Sequence, residues 1–238
     1  MMILHCGGKQ VGFNELANVK LPEETETYTP VAFSDLVTNA KTIADDLLKD
    51  YEYLGSEYAL AAKDQRMFAV LKYAHESADD MSVALGIRSS HDKSMSNGYC
   101  FGSSITVCDN LIFAGDFVIM RKHTKNVFDS LRDQLIKTVY NFQSDGKFQN
   151  IIEDKNKMQE TDMSNKNAYE FLGYLFGNKV LKARQLTTAL NCWNKPPYEE
   201  FSVKNMWSLY NACTEALKST PPNRIIQQHI KLHDLATT

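Results

Sequence analysis

The stretch Met81-Ser82-Val83-Ala84-Leu85-Gly86-Ile87-Arg88 decides the fold class. Met81, Val83, Leu85 and Ile87 alternate without a break with Ser82, Ala84, Gly86 and Arg88. A period of two predicts a half-buried β-strand, apolar face inward. The same period recurs on both sides. Upstream, Tyr58, Leu60 and Ala62 alternate with polar or small residues, Lys63-Asp64-Gln65-Arg66 reads as a turn, and Met67 to Tyr73 is an apolar strand, which together make a hairpin. Downstream, past the polar run Ser89 to Gly98, Phe101, Ser103, Ile105 and Val107 alternate, and Leu111 to Met120 forms one more strand. Short strands separated only by turns predict an antiparallel meander of four to five strands rather than a βαβ unit.

Helical spacing brackets this sheet. Before it, Leu36, Val37, Ala40, Ile43, Ala44, Leu47 and Leu48 predict a helix over 34–49. After it, Phe128, Leu131, Leu135, Val139 and Phe142 make one stripe. Further helices are expected over 167–176, 182–192, 204–218 and 224–235, broken at Gly177-Asn178, Pro196-Pro197 and Pro221-Pro222. The expectation is an α+β chain with an N-terminal helix, an antiparallel meander and a helical C-terminal half. It reads as one domain over 1–238, with helix, sheet and long helix in 28–145 and a helical extension in 146–238. Charge is high and apolar residues are few over 144–166, so that span reads as a mobile surface segment.

Composition narrows the function classes. Among 238 residues, 26 basic and 29 acidic side chains give a formal charge of −3, which counts against a protein that coats duplex DNA non-specifically. The five cysteines, at 6, 100, 108, 192 and 213, are odd in number and lack zinc-finger spacing. Without an apolar run long enough to span a bilayer or a leader-like N-terminus, the chain reads as cytoplasmic, with no membrane partner, no cofactor and no metal.

Three segments carry candidate chemistry. Arg88-Ser89-Ser90-His91-Asp92-Lys93-Ser94 has the residue types of nucleophilic catalysis, yet it also suits a loop whose side chains cap its own amides. Cys108, between two strands, would be a nucleophile if His91 or His123 approached it. Arg121-Lys122-His123-Thr124-Lys125 closes the last strand, with Thr124 as N-cap of the long helix, and its three cations suit a phosphate. Lys179, Lys182, Arg184 and Arg224 read as ordinary surface charge.

The run Leu85-Gly86-Ile87-Arg88-Ser89-Ser90-His91-Asp92-Lys93-Ser94 resembles the segment that marks the DUF932 family of phage and plasmid proteins. Val107 to Asp116, Arg121-Lys122-His123-Thr124, and Trp207, Asn211-Ala212, Thr214-Glu215 and Leu217-Lys218 are similar to its later signatures, in order, between about 29 and 235. Lys93 stands where the family form has Gly, so the loop is expected to manage without a positive φ there. The resemblance implies a mobile-element origin and no activity.

Three readings follow. In the first, a phage or mobile-element accessory protein binds single-stranded nucleic acid, single-stranded DNA above all, through Arg88, Arg121, Lys122 and Lys125; the helix–meander–helix order resembles the core of single-strand annealing proteins. In the second, a host-interaction or anti-defence protein acts by binding a host protein. In the third, a small hydrolase-like enzyme uses His91, Asp92, Cys108 and His123, which must then converge in one pocket. A homo-oligomer is compatible with all three.

Overall fold

The computed structural model describes residues 8–74, 80–105, 111–144, 146–221 and 223–238. Six strands form one antiparallel sheet in sequence order: β1 (Lys9–Val11), β2 (Glu52–Ala61), β3 (Arg66–Ala74), β4 (Met81–Ser90), β5 (Asn97–Ile105) and β6 (Leu111–Arg121). The α+β meander is therefore the observed architecture. It gains a sixth strand because β1, too short to show a period, adds to the edge of β2 through Lys9↔Leu60 and Val11↔Tyr58.

Eight α-helices lie among the described residues. Between β1 and β2 come α1 (Phe13–Ala17) and α2 (Phe33–Leu47). After β6 follow α3 (Val127–Ser144), α4 (Lys147–Glu160), α5 (Asn165–Gly177), α6 (Ala183–Asn194), α7 (Met206–Leu217) and α8 (Ile225–Thr237).

The middle of the sheet, β3 to β5, is buried on both faces. One face sends Met67, Ala69, Leu71, Val83, Leu85, Ile87, Tyr99 and Phe101 into the main core with Phe33, Leu36 and Ala40 of α2 and Leu131, Leu135 and Val139 of α3. Each fully buried side chain of this size contributes about 1.5–3 kcal/mol. The other face carries Phe68, Val70, Ala84 and Cys100, which pack against Ile225 and Ile226 at the start of α8. All ten residues of β4 are consequently buried, not only the alternate four. Ser82, Ala84 and Gly86 look like a solvent face within the strand, but their small size lets a helix from the far end of the chain settle close to the sheet.

Gly98 on β5 marks a tight approach on this second face. A Cβ there would fall 2.4 Å from Met120 Sδ and 2.9 Å from the Ile119 carbonyl oxygen. Register places Gly98 between Arg88 of β4 and Met120 of β6.

The region read as a mobile segment is instead largely helical. Phe148, Ile151 and Met158 of α4 recur at helical spacing and are buried in the main core. The α4–α5 junction is anchored as well: Met163 N–H donates to the Lys204 carbonyl at 2.9 Å, and the Asn205 side-chain amide donates to the Gln159 carbonyl at 3.0 Å. A sparse stripe of three large apolar residues suffices once a core exists to receive it.

Candidate functional site

At one end of the sheet the β4–β5 loop, the end of β6 and the segment before α2 enclose a cleft of about 390 Å³. Lys93, Ser94, Met95 and Ser96 come from the loop, Lys122, His123 and Thr124 from the strand end, and Thr27 and Tyr28 from the third segment. The fold thus brings together two of the three segments singled out in the sequence. No carboxylate lines the cleft, whereas two lysines and four hydroxyl-bearing side chains besides Tyr28 do.

The loop is shaped by its own polar groups. Ser90 Oγ donates to the Met95 carbonyl and accepts from Met95 N–H, both at 3.0 Å, which closes the loop on itself. Asp92 Oδ1 accepts from Ser94 N–H at 3.0 Å, and Oδ2 accepts from Arg66 Nε at 2.7 Å. Burial opposes ionisation of Asp92, but the Ser94 hydroxyl and amide and the Arg66 guanidinium outweigh it and hold the carboxyl below its usual range. His91 N–H donates to the Gln65 carbonyl at 2.7 Å, which ties the loop to the β2–β3 turn.

Lys93 corrects the expectation drawn from its replacing a glycine. Its φ is +61°, so the loop keeps the left-handed turn although a side chain is present. An L-residue held there costs about 1–2 kcal/mol. The ammonium lies 4.5 Å from the centre of the Tyr28 ring, a cation–π contact that offsets part of that cost.

His123 lines the cleft, and His91 is buried behind it. His123 Nδ1 stands 3.3 Å from the Asn97 amide nitrogen and Nε2 lies 3.2 Å from the Met95 carbonyl. The second contact requires a proton on Nε2, and the first requires an unprotonated Nδ1 that accepts from Asn97. Asn97 in turn accepts from Ser89 Oγ at 2.6 Å. Burial lowers the His123 pKa, the Met95 carbonyl opposes this, and the neighbouring His91 adds to the lowering. His91 stacks on Phe33 with ring centroids 3.9 Å apart, and its Nε2 lies 3.0 Å from the Val31 carbonyl. Burial lowers its pKa too, partly offset by backbone groups of Val31 and Lys20 and by Asp92. Tyr28 Oη donates to the His91 carbonyl at 3.2 Å.

The enzyme constellation can be judged for three of its four members, since Cys108 lies outside the described residues. His91 faces Phe33 and Val31, Asp92 faces Arg66, and His123 faces Asn97 and Met95. The three do not hydrogen-bond to one another, and each is engaged in holding the loop or strand end in place. No group of three or more His, Cys, Asp or Glu side chains able to hold a metal occurs among the described residues.

The four cations read as nucleic-acid contacts part company. Lys122 and Lys125 are exposed at the cleft end of β6. Arg121 is half-buried and donates from Nε to Ser130 Oγ at 3.2 Å and from Nη1 to the Met120 carbonyl at 2.8 Å. Arg88 is only 6% exposed, on the sheet face covered by α8. Its Nη1 donates to the Asn223 carbonyl and to Gln227 Oε1, both at 3.1 Å. Burial lowers its pKa, with the adjacent Cys100 opposing. Thr124 does not begin the helix: α3 starts at Val127, whose N–H donates to the Thr124 carbonyl in the preceding turn.

Sequence reasoning missed Lys93 and Tyr28 as cleft residues. For Lys93 the signal was a cation at a position that needs a left-handed backbone. Tyr28 gave none, because its place depends on a contact to residues far along the chain.

The meander, the covering helices and the β4–β5 loop make an α+β protein with a cleft at one sheet end, lined by two lysines and several hydroxyl groups. The chain belongs to the DUF932 family, a domain of unknown function, whose profile matches residues 21–236. No curated protein and no solved structure matches the chain. Among the described residues no helix is long and apolar enough to cross a membrane.

Proposed function

We propose that the protein binds single-stranded nucleic acid by its phosphate backbone at this cleft, as an accessory factor in the DNA metabolism of a phage or other mobile element. The observation that carries the reading is the convergence of Lys93 and Lys122 on one carboxylate-free cleft beside the Tyr28 ring. Two ammonium groups and the hydroxyls of Ser94, Ser96, Thr27 and Thr124 can satisfy the oxygens of a phosphate, and a phosphate entering between them would draw Lys93 off the ring. The modest number of cations suits a flexible single strand that can enter a pocket better than a duplex, whose affinity depends on many phosphate contacts at once.

Ultraviolet cross-linking of an iodouracil-substituted single strand, with the adducts mapped by mass spectrometry, tests the assignment. Adducts are expected in peptides containing 27–29, 93–96 or 121–125. Adducts confined to other segments would overturn the site.

A further inference from the structure

A second surface, built from different residues, lies on the α5–α6 hairpin. Its outer side holds an apolar groove of about 390 Å³ floored by Leu172, Leu186 and Leu190. Tyr169 and Asn194 close one end, with Tyr169 Oη 3.5 Å from Asn194 Oδ1. Tyr169, Tyr174 and Phe176 are 47%, 52% and 48% exposed, which is unusual for three large aromatics on one short helix. These helices hold their places by their other sides: Ala168, Leu175, Ala189 and Trp193 are buried in the main core.

Charge identifies what would cover the groove. Within Asn165–Lys195 stand Lys166, Lys179, Lys182, Arg184 and Lys195, all exposed, against a single carboxylate, Glu170. The chain as a whole has a formal charge of −3, so this hairpin is a local basic island. An aliphatic floor between two antiparallel helices accepts a row of leucine-sized side chains spaced along a third helix. Cations around it attract carboxylates on that helix's flanks. Nucleic acid would meet the cations and the Tyr169 ring, but it would leave the aliphatic floor of Leu172, Leu186 and Leu190 without an apolar partner.

We infer that the α5–α6 groove docks an acidic amphipathic helix of a partner protein. The inference stands apart from the nucleic-acid reading, because none of its residues lines the cleft of Lys93 and Lys122.

The test is a fluorescence-anisotropy titration of the full chain. The probe is a labelled synthetic helix carrying leucines at i, i+3, i+4 and i+7 and glutamates on its remaining faces. Saturable binding is expected, weakened about tenfold or more when Lys182→Glu and Arg184→Glu are combined, since both side chains are exposed. Leu190→Asp, checked for folding by circular dichroism, should abolish binding, while Lys122→Glu should leave it unchanged. Three results would overturn the inference: no saturable binding at low salt, equal binding of a scrambled peptide of the same charge, or displacement of the peptide by a single-stranded oligonucleotide in a way that Lys182→Glu relieves.

Discussion

The Lys93 ammonium lies 4.5 Å from the centre of the Tyr28 ring, and the Lys93 backbone is left-handed with φ +61°. Glycine would adopt this backbone freely, whereas Lys93 bears the strain and sets its ammonium over the Tyr28 ring. Strain of this sort collects where a side chain must be aimed.

Lys93→Gly should leave stability nearly unchanged, because relief of about 1 kcal/mol of backbone strain offsets the lost cation–π contact of about 0.5–1 kcal/mol. Lys93→Ala keeps the strain and loses the contact, so it should be less stable than the glycine variant by about 1 kcal/mol. Urea unfolding of the three proteins checks the order. Both variants should bind a single-stranded oligonucleotide more weakly than the parent, which separates the functional cost from the structural one.

Arg88 and Lys122 make opposite predictions. The Arg88 guanidinium is spent on Asn223 and Gln227 beneath α8, whereas Lys122 is exposed at the cleft. Arg88→Met should therefore leave oligonucleotide affinity within about twofold, while Lys122→Ala lowers it severalfold and flattens its salt dependence by one phosphate contact, a slope of about 0.7. Hydrogen exchange at the start of α8 should rise in Arg88→Met, since its tie to the sheet is gone.

Gly98→Ala should be strongly destabilising. The new methyl meets Met120 Sδ at 2.4 Å and the Ile119 carbonyl at 2.9 Å. The methionine can swing aside, but the carbonyl belongs to the β-ladder. The expected cost is about 1–3 kcal/mol by urea unfolding. Adding Met120→Ala should recover only part of it.

Acid should unfold the protein early. His91, His123 and His233 all titrate below the usual 6.5, chiefly because burial disfavours their charged forms. The unfolded chain then binds more protons than the folded one below that value. Their contribution is present in full above about pH 6.5 and is lost as pH falls toward their folded values. For His123 the physical event is a proton arriving on Nδ1, where Asn97 already donates. Urea midpoints measured from pH 7.5 to pH 5 should fall, and His123→Gln should flatten the slope.

The period of two over 81–88 made β4 and the meander legible, because alternation is written in the strand itself. What covers each face is not. Ser82, Ala84, Gly86 and Arg88 spell a solvent face, yet all four are buried, and the return of α8 covers Ala84 and Arg88, which is why Arg88 read as a surface cation. The helix α4 was hidden for a similar reason: Phe148, Ile151 and Met158 are too few to announce a helix without the core they enter. The candidate site was half legible. Its loop and strand end stood out as polar clusters, while their juxtaposition, and the part played by Tyr28, depend on register and on long-range packing. The pairings of His91 with Phe33 and of Asp92 with Arg66 likewise depend on residues far along the chain.

The most direct test of the central claim is an anisotropy titration of a labelled single-stranded oligonucleotide at low and moderate salt, comparing the parent with the Lys93→Glu, Lys122→Glu double variant. Salt-sensitive binding by the parent is expected, with a loss of about tenfold or more in the variant and Arg88→Met close to the parent. Flat titrations at low salt, or a variant that binds as tightly as the parent, would contradict it.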